Sequence, residues 1–277
     1  MAKESKLPVA LTIAGSDPGG GAGMQADLKT FAAHRVYGFS VITAVIAQNS
    51  AHVARVEPVS AAMVLEQIAT LASERRPDAL KTGALANGEV VRIVAESIRD
   101  LRLPAPVVDP VLISSSGARL LDAAGEHALR SLLIPLACVV TPNIPEAQAL
   151  TGVTIDGPAA MRVAARVLRR LGARAVVIKG GHPFEGAGDQ DLANQPRVLD
   201  LLFDGRSFTE FAAVRIAGDG AHGTGCAFSA AIAAGLARGD DLETAVRRAK
   251  SFVTRALRAR FTLGDHGRAL LDHFARR

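Results

Sequence analysis

Short apolar runs alternate with longer amphipathic stretches along nearly the whole chain. Val9–Ala14 is a short, mostly apolar run stopped by Gly15-Ser16-Asp17-Pro18 and Gly19-Gly20-Gly21, which predicts a buried strand leaving a sheet through a glycine-rich loop. A helix is expected next, with Met24, Leu28 and Phe31 on one face and Asp27 turned toward the loop. The run 39–47, ending in Gln48-Asn49-Ser50, predicts a second strand, and Val64, Ile68 and Leu71 mark a helix. Residues 79–83 predict a third strand, residues 90–101 a helix, and Val107-Val108 a strand stopped by Asp109-Pro110. A helix is expected over 122–133, a strand over 137–140 and a helical turn or two from 145 to 150. The stripe Met161, Ala164, Ala165, Leu168 and Leu171 then precedes a strand over 173–178 that closes on Lys179-Gly180-Gly181-His182.

The alternation changes only near the end. Residues 198–203 and 207–213 flank Asp204-Gly205-Arg206, a hairpin signal. The glycine-rich loop 217–226 leads into a helix whose apolar face is expected to carry Phe228, Ala231, Ile232, Gly235 and Leu236. Leu242, Ala245, Val246, Ala249, Phe252, Val253 and Ala256 form the stripe of a last helix, with Arg247, Arg248 and Arg255 on its solvated face. A polar surface loop is expected over 184–196. Nearly all-apolar strands alternating with helices predict a mainly parallel sheet covered on both faces, formed by one domain over residues 1–277.

In such sheets ligands bind beyond the carboxyl ends of the strands. Polar residues gather there: 15–17, Gln48-Asn49, Lys81-Thr82, Asp109, 141–143 and Lys179 each end a different run. The helix expected to start near Gly223, Thr224, Gly225 and Cys226 adds unpaired N–H groups and a partial positive charge on the same edge. That loop fits neither the Walker A nor the dinucleotide pattern, and taken alone it is either a phosphate cradle or a structural turn. Cys226 is either a thiol whose pKa falls from about 8.5 into roughly the 3.5–7.5 range at a helix start, or a small apolar residue packed beneath the loop.

Composition narrows the partners. The chain has 277 residues, is 49% hydrophobic and 21% charged, and carries a formal net charge of +5 with its arginines spread out. Aromatics make up 4%, and no RNA-binding, zinc-finger or basic-region pattern appears, which argues against nucleic acid and toward small anionic ligands. Two cysteines form no disulfide framework or metal-ligand spacing, the N-terminus lacks a signal-peptide core, and no apolar run reaches membrane-spanning length; a cytoplasmic protein is expected.

Taken together, 12–18, 20–23, 25–29, 45–49, Asp109-Pro110-Val111, 141–143 with Glu146-Ala147, 179–182 and 222–226 resemble the ribokinase-like small-molecule kinases, and within them the hydroxymethylpyrimidine/phosphomethylpyrimidine kinases of thiamine biosynthesis. The resemblance implies a three-layer ribokinase-like sandwich, ATP and Mg²⁺ as cofactors, and phosphoryl transfer to an aminopyrimidine alcohol or its monophosphate. It implies that Gly223, Thr224, Gly225, Cys226 and Lys179 carry the transfer and that Asn143, Lys179, Gly223 and Gly225 meet the nucleotide. It further implies that Asp109 and Glu146 hold Mg²⁺ and that Gly15, Ala22, Asp27, Gln48, Ala84 and Val111 meet the acceptor. A homodimer is expected. The chain departs from the family's pattern at Ala84 and Leu112, where methionine is usual, and over 215–221, which lacks the usual threonine and asparagine. A pyridoxal-type kinase on the same fold and a metabolite-binding regulator without turnover are the alternatives.

Overall fold

Neighbouring valines within single strands face opposite cores. Val108, Val140, Val176 and Ile178 enter one cluster, and Val107, Val139 and Val177 enter the other, the period-two signature of a sheet buried on both faces. The computed structural model describes residues 7–181, 197–218, 220–264 and 267–275, so the loop expected over 184–196 lies outside the described residues.

The strands are β1 (Val9–Ala14), β2 (Tyr37–Ile42), β3 (Ala44–Gln48), β4 (Val53–Pro58), β5 (Ala79–Thr82), β6 (Val107–Val108), β7 (Val139–Val140), β8 (Val176–Ile178), β9 (Arg197–Phe203) and β10 (Phe208–Val214). Eight of them form one sheet in the order β10-β9-β8-β7-β6-β5-β1-β2. Strands β2, β1, β5, β6, β7 and β8 run parallel, and the β9–β10 hairpin adds an antiparallel edge. The helices are α1 (Gly23–Ala33), α2 (Ala61–Glu74), α3 (Gly88–Asp100), α4 (Ala123–Ala128), α5 (Ile144–Thr151), α6 (Pro158–Arg170), α7 (Thr224–Ala237) and α8 (Leu242–Arg258). Helices α2 to α6 cover one face of the sheet and α1, α7 and α8 the other, which makes three layers.

Three expectations change. The run 39–47 is not one strand: Thr43, fully buried, turns a corner by donating its N–H to Ala14 and its hydroxyl to the Ala84 carbonyl. Beyond it β3 leaves the main sheet and pairs with β4, a strand whose mostly exposed residues carry no core-facing alternation. The stretch 122–133 holds as α4 only to Ala128, then continues as a π turn (Leu129–Leu133) and a 3₁₀ turn (Ile134–Leu136) containing Pro135, whose ring lacks an N–H for the α ladder. Helix α7 is not one-faced: Ala227 through Gly235 are all buried, because α7 lies between α1, α8 and the sheet. Only small residues permit that, and a Cβ on Gly235 would sit 2.9 Å from Ala245 Cβ on α8.

Candidate active site

The carboxyl ends of β1, β5, β6, β7 and β8 bring their terminal residues beneath the start of α7. Gly223 caps α7 with φ +83°, a left-handed conformation natural to glycine, and a Cβ there would lie 1.7 Å from the Gly21 carbonyl oxygen. The first intrahelical bond runs from Ala227 N–H to Gly223, so the N–H groups of Thr224, Gly225 and Cys226 have no intrahelical acceptor. Thr224 steadies the turn by donating its hydroxyl to the Ala221 carbonyl at 2.7 Å. Lys179 follows β8, and its ammonium lies 3.1 Å from where a Cβ on Gly225 would project. The helix start and a lysine therefore converge on one spot, an arrangement that holds an anion.

Two carboxylates lie beside that lysine. Asp109, after β6, accepts from Lys179 Nζ at 2.9 Å and is 2% exposed. Glu146 is buried in the first turn of α5, where it and Asn143 form a capping box: Asn143 N–H donates to Glu146 at 2.8 Å and Glu146 N–H to Asn143 Oδ1 at 2.9 Å. Burial pushes the Glu146 carboxyl up to about 7; Lys179 opposes this and Asp109 adds to it. Burial works against the Lys179 charge, but Asp109 and Glu146 overcome it and raise its pKa. Two buried anionic oxygen donors beside an anion cradle match Mg²⁺, which takes one or two carboxylates and completes its shell with phosphates and water.

The acceptor residues expected from the sequence fall into two groups. Gly15, Ala84 and Val111 converge: Gly15 N–H donates to the Ala84 carbonyl at 3.0 Å, a Cβ on Gly15 would meet Ile46 at 2.9 Å, and Val111 packs with Ala44, Ile46 and Leu120. Ala22 N-caps α1, its N–H donating to Asp17 at 2.7 Å. Gln48 is half-buried at the end of β3, where the register with β4 shifts. Asp27 does not belong with these. It is fully buried in α1, accepting from Lys81 Nζ at 2.8 and 2.9 Å and from the Thr12 hydroxyl at 2.6 Å. Leu112 is buried in the main core, and its backbone reaches the Glu146 carboxyl.

Cys226 requires a correction. Its place in the first turn of α7 is as expected, and Gly23 N–H and the Lys81 ammonium both favour the thiolate. Burial together with Asp109 and Asp27 outweighs them and pushes the thiol up to about 11. The lowered pKa expected from the helix start is not found: Cys226 is half-buried, and its partial desolvation with the two neighbouring carboxylates outweighs the helix end.

Sequence reasoning missed the Asp27–Lys81 pair and the contacts of Asp17 and His222, which lie 205 residues apart. Lys81 within the short run 79–83 was a signal for the first pair, whereas Asp17 and His222 lie in separate glycine-rich loops that give no sign of meeting.

A mainly parallel α/β sandwich with an anion-binding helix start, a lysine and two carboxylates at its carboxyl edge defines a ribokinase-like small-molecule kinase. Residues 17–271 match the family described as phosphomethylpyrimidine kinase. The chain belongs to the phosphomethylpyrimidine kinase family and is an ATP-dependent kinase of thiamine biosynthesis. It is 45% identical over 268 residues to the hydroxymethylpyrimidine/phosphomethylpyrimidine kinase of Synechococcus elongatus, covering 97% of this chain and 98% of that one. It is 46% identical over 258 residues to the thiamine biosynthesis bifunctional protein of Geobacter sulfurreducens, covering 93% of this chain but about half (51%) of that protein. The crystal structure of an ADP complex of Bacillus subtilis pyridoxal kinase superposes with a TM-score of 0.85 at 36% identity, covering 97% of this chain and 98% of that one. No helix among the described residues is long and apolar enough to cross a membrane.

Proposed function

We propose that this chain acts throughout its length as one kinase domain that transfers the terminal phosphoryl group of Mg·ATP to the hydroxymethyl group of an aminopyrimidine, and then to the resulting monophosphate. The observation that carries this is the meeting of the α7 start, Lys179, Asp109 and Glu146 on the sheet edge that also holds the contacts among Gly15, Ile46, Ala84 and Val111. Phosphoryl transfer asks the protein for position and for charge opposite the equatorial oxygens. The N–H groups of 224–226 face those oxygens, Lys179 moves from Asp109 to the nucleotide phosphates, and Asn143, whose Oδ1 caps α5, turns its amide nitrogen toward the nucleotide. Asp109 and Glu146 would hold Mg²⁺, which when bound supplies charge neutralisation between the phosphates. Cys226, at the base of the same loop, takes the acceptor's proton through its thiolate form.

Gln48 selects the acceptor in this reading. Its amide offers one acceptor and two donor hydrogens, matching a ring nitrogen beside an exocyclic amine, an edge that pyridoxal lacks. The second reading, a pyridoxal-type acceptor, is favoured by the small side chain of Ala84 in the pocket wall and by the likeness to pyridoxal kinase. Gln48→Leu decides between them. The native enzyme should prefer the pyrimidine, and the variant should lose about 1–3 kcal/mol of that preference, chiefly by a lower kcat/KM for the pyrimidine. Pyridoxal as the better native substrate, or equal losses on both rings, would replace the first reading with the second.

A cytoplasmic homodimer completes the proposal. Two cysteines without a disulfide fit a reducing compartment, and the exposed Val45 on β3 offers apolar surface for a second copy. Light scattering of the purified protein reads the assembly directly.

A further inference from the structure

Three loops meet at one imidazole. His222 is 7% exposed and immediately precedes the cap of α7. Its Nε2 lies 3.0 Å from Asp17 Oδ2 and its Nδ1 3.1 Å from the Ser115 hydroxyl oxygen, while its backbone N–H donates to the Ala269 carbonyl at 2.8 Å. A carboxylate only accepts, so Nε2 donates to Asp17, and Nδ1 shares a hydrogen bond with the Ser115 hydroxyl. The same Asp17 oxygen accepts Ala22 N–H at 2.7 Å, and its other oxygen accepts Gly19 N–H at 3.1 Å. Burial works to raise the Asp17 pKa; His222 and these two N–H groups overcome it and hold the carboxyl below its usual range. The loops also touch backbone to backbone. A Cβ on Gly21 would stand 2.9 Å from His222 Cδ2, and one on Gly223 would overlap the Gly21 carbonyl.

Loop 15–23 and loop 222–226 come from opposite ends of the chain. In the function proposed above, on which this inference rests, the first holds the acceptor and the second holds the phosphoryl group. We propose that His222 is a positioning residue that fixes the acceptor loop against the anion loop and, through Ser115, ties the 112–118 loop to both. It thereby sets the distance from the acceptor hydroxyl to the transferring phosphoryl group. It touches neither reactant and acts through Asp17 and the backbone of Ala22. A misplacement of about 1 Å between reacting groups costs about 10²-fold in rate. Water admitted by the same loosening competes with the alcohol for the phosphoryl group.

The test compares H222L, H222N and H222Q with the native enzyme by steady-state kinetics on the aminopyrimidine alcohol, ADP affinity by calorimetry, and the ratio of ATP hydrolysed to alcohol phosphorylated. His222→Leu and His222→Asn both lose the bond to Asp17 and should lower kcat by about 10²-fold. ADP affinity should stay native and the share of ATP lost to water should rise. His222→Gln places an amide N–H near the position of Nε2 and should recover much of the rate. Should the leucine variant not fold, the smaller, polar H222N is scored in the same way. A folded H222N with native kcat overturns the inference, as does a loss in which ADP affinity falls in parallel and glutamine rescues nothing. Failure of the native enzyme to phosphorylate any aminopyrimidine alcohol sinks the substrate assignment instead. The same comparison then applies to the alcohol the enzyme does accept.

Discussion

Gly223→Ala is the sharpest test of the anion loop. The added Cβ would start 1.7 Å from the Gly21 carbonyl oxygen, whereas real Cβ atoms stay at least 3.0 Å from such neighbours, so the loops must part by 1.3 Å or more. The obstacle is backbone on the acceptor loop, which has no rotamer to yield. Alanine at φ +83° adds about 1–2 kcal/mol of left-handed strain. That strain alone lowers Tm by roughly 2–8 °C in a chain of this size. In the proposed function the two loops hold the acceptor and the phosphoryl group, so their separation acts on turnover and a loss of about 10²-fold or more in kcat is expected. The assay is kcat and KM for the aminopyrimidine alcohol beside a thermal melt. Gly152→Ala is the control: it has a similar φ of +72°, nothing within 4 Å of its Cβ and no part in the site. It should show the strain in Tm and native turnover. Gly223→Ala with native kcat, or with a kcat loss no larger than the control's, would refute the close contact of the two loops as the basis of alignment.

Three other outcomes follow from the same geometry. Cys226 faces Lys81, Asp27 and Asp109, and with its thiol pushed up to about 11 the thiolate fraction grows as pH rises; native kcat should climb between pH 7 and 10 while Cys226→Ala loses about 10² to 10⁴-fold and is flat over that range. A native profile as flat as the alanine variant's would remove Cys226 from proton transfer. Lys81→Met strands the fully buried Asp27 with only Thr12 as donor, so stability should fall by about 3–5 kcal/mol in denaturant unfolding, and replacing both partners by apolar residues should restore most of it. A loss below about 1 kcal/mol would mean that the carboxyl is content uncharged. Asp109→Asn should raise the Mg²⁺ concentration for half-maximal rate at least about tenfold while leaving acceptor KM unchanged, and an unaltered Mg²⁺ dependence would make Asp109 only a partner for Lys179.

Local pattern sufficed wherever one physical rule governed the outcome. The strands of the main sheet and the α8 stripe were legible because burial on two faces or on one leaves a period in the sequence. Lys179, Asp109 and the 223–226 loop were legible because polar residues at strand ends have few structural reasons to collect on one edge. The corner at Thr43 was not legible, since an apolar run gives no sign of which sheet it joins, and only hydrogen bonds to Ala14 and Ala84 decide it. The burial of Asp27 and the raised pKa of Cys226 escaped the sequence for a shared reason. Their neighbours come from α1, β5, β6 and α7, and desolvation by distant parts of the chain outweighed every local cue. Complete burial of α7 was hidden likewise, because an alanine-rich helix reads the same whether one face or all of them are covered.

The β3–β4 ribbon stands apart from both large cores and packs on a small cluster of its own, Ala44, Ile46 and Leu120. In the proposed function residues on it meet the acceptor, while its small cluster lies outside the two large cores. Over evolutionary time such a lineage can exchange one flat ring alcohol for another by point changes in this ribbon, each costing little stability, while the phosphoryl-transfer edge stays fixed.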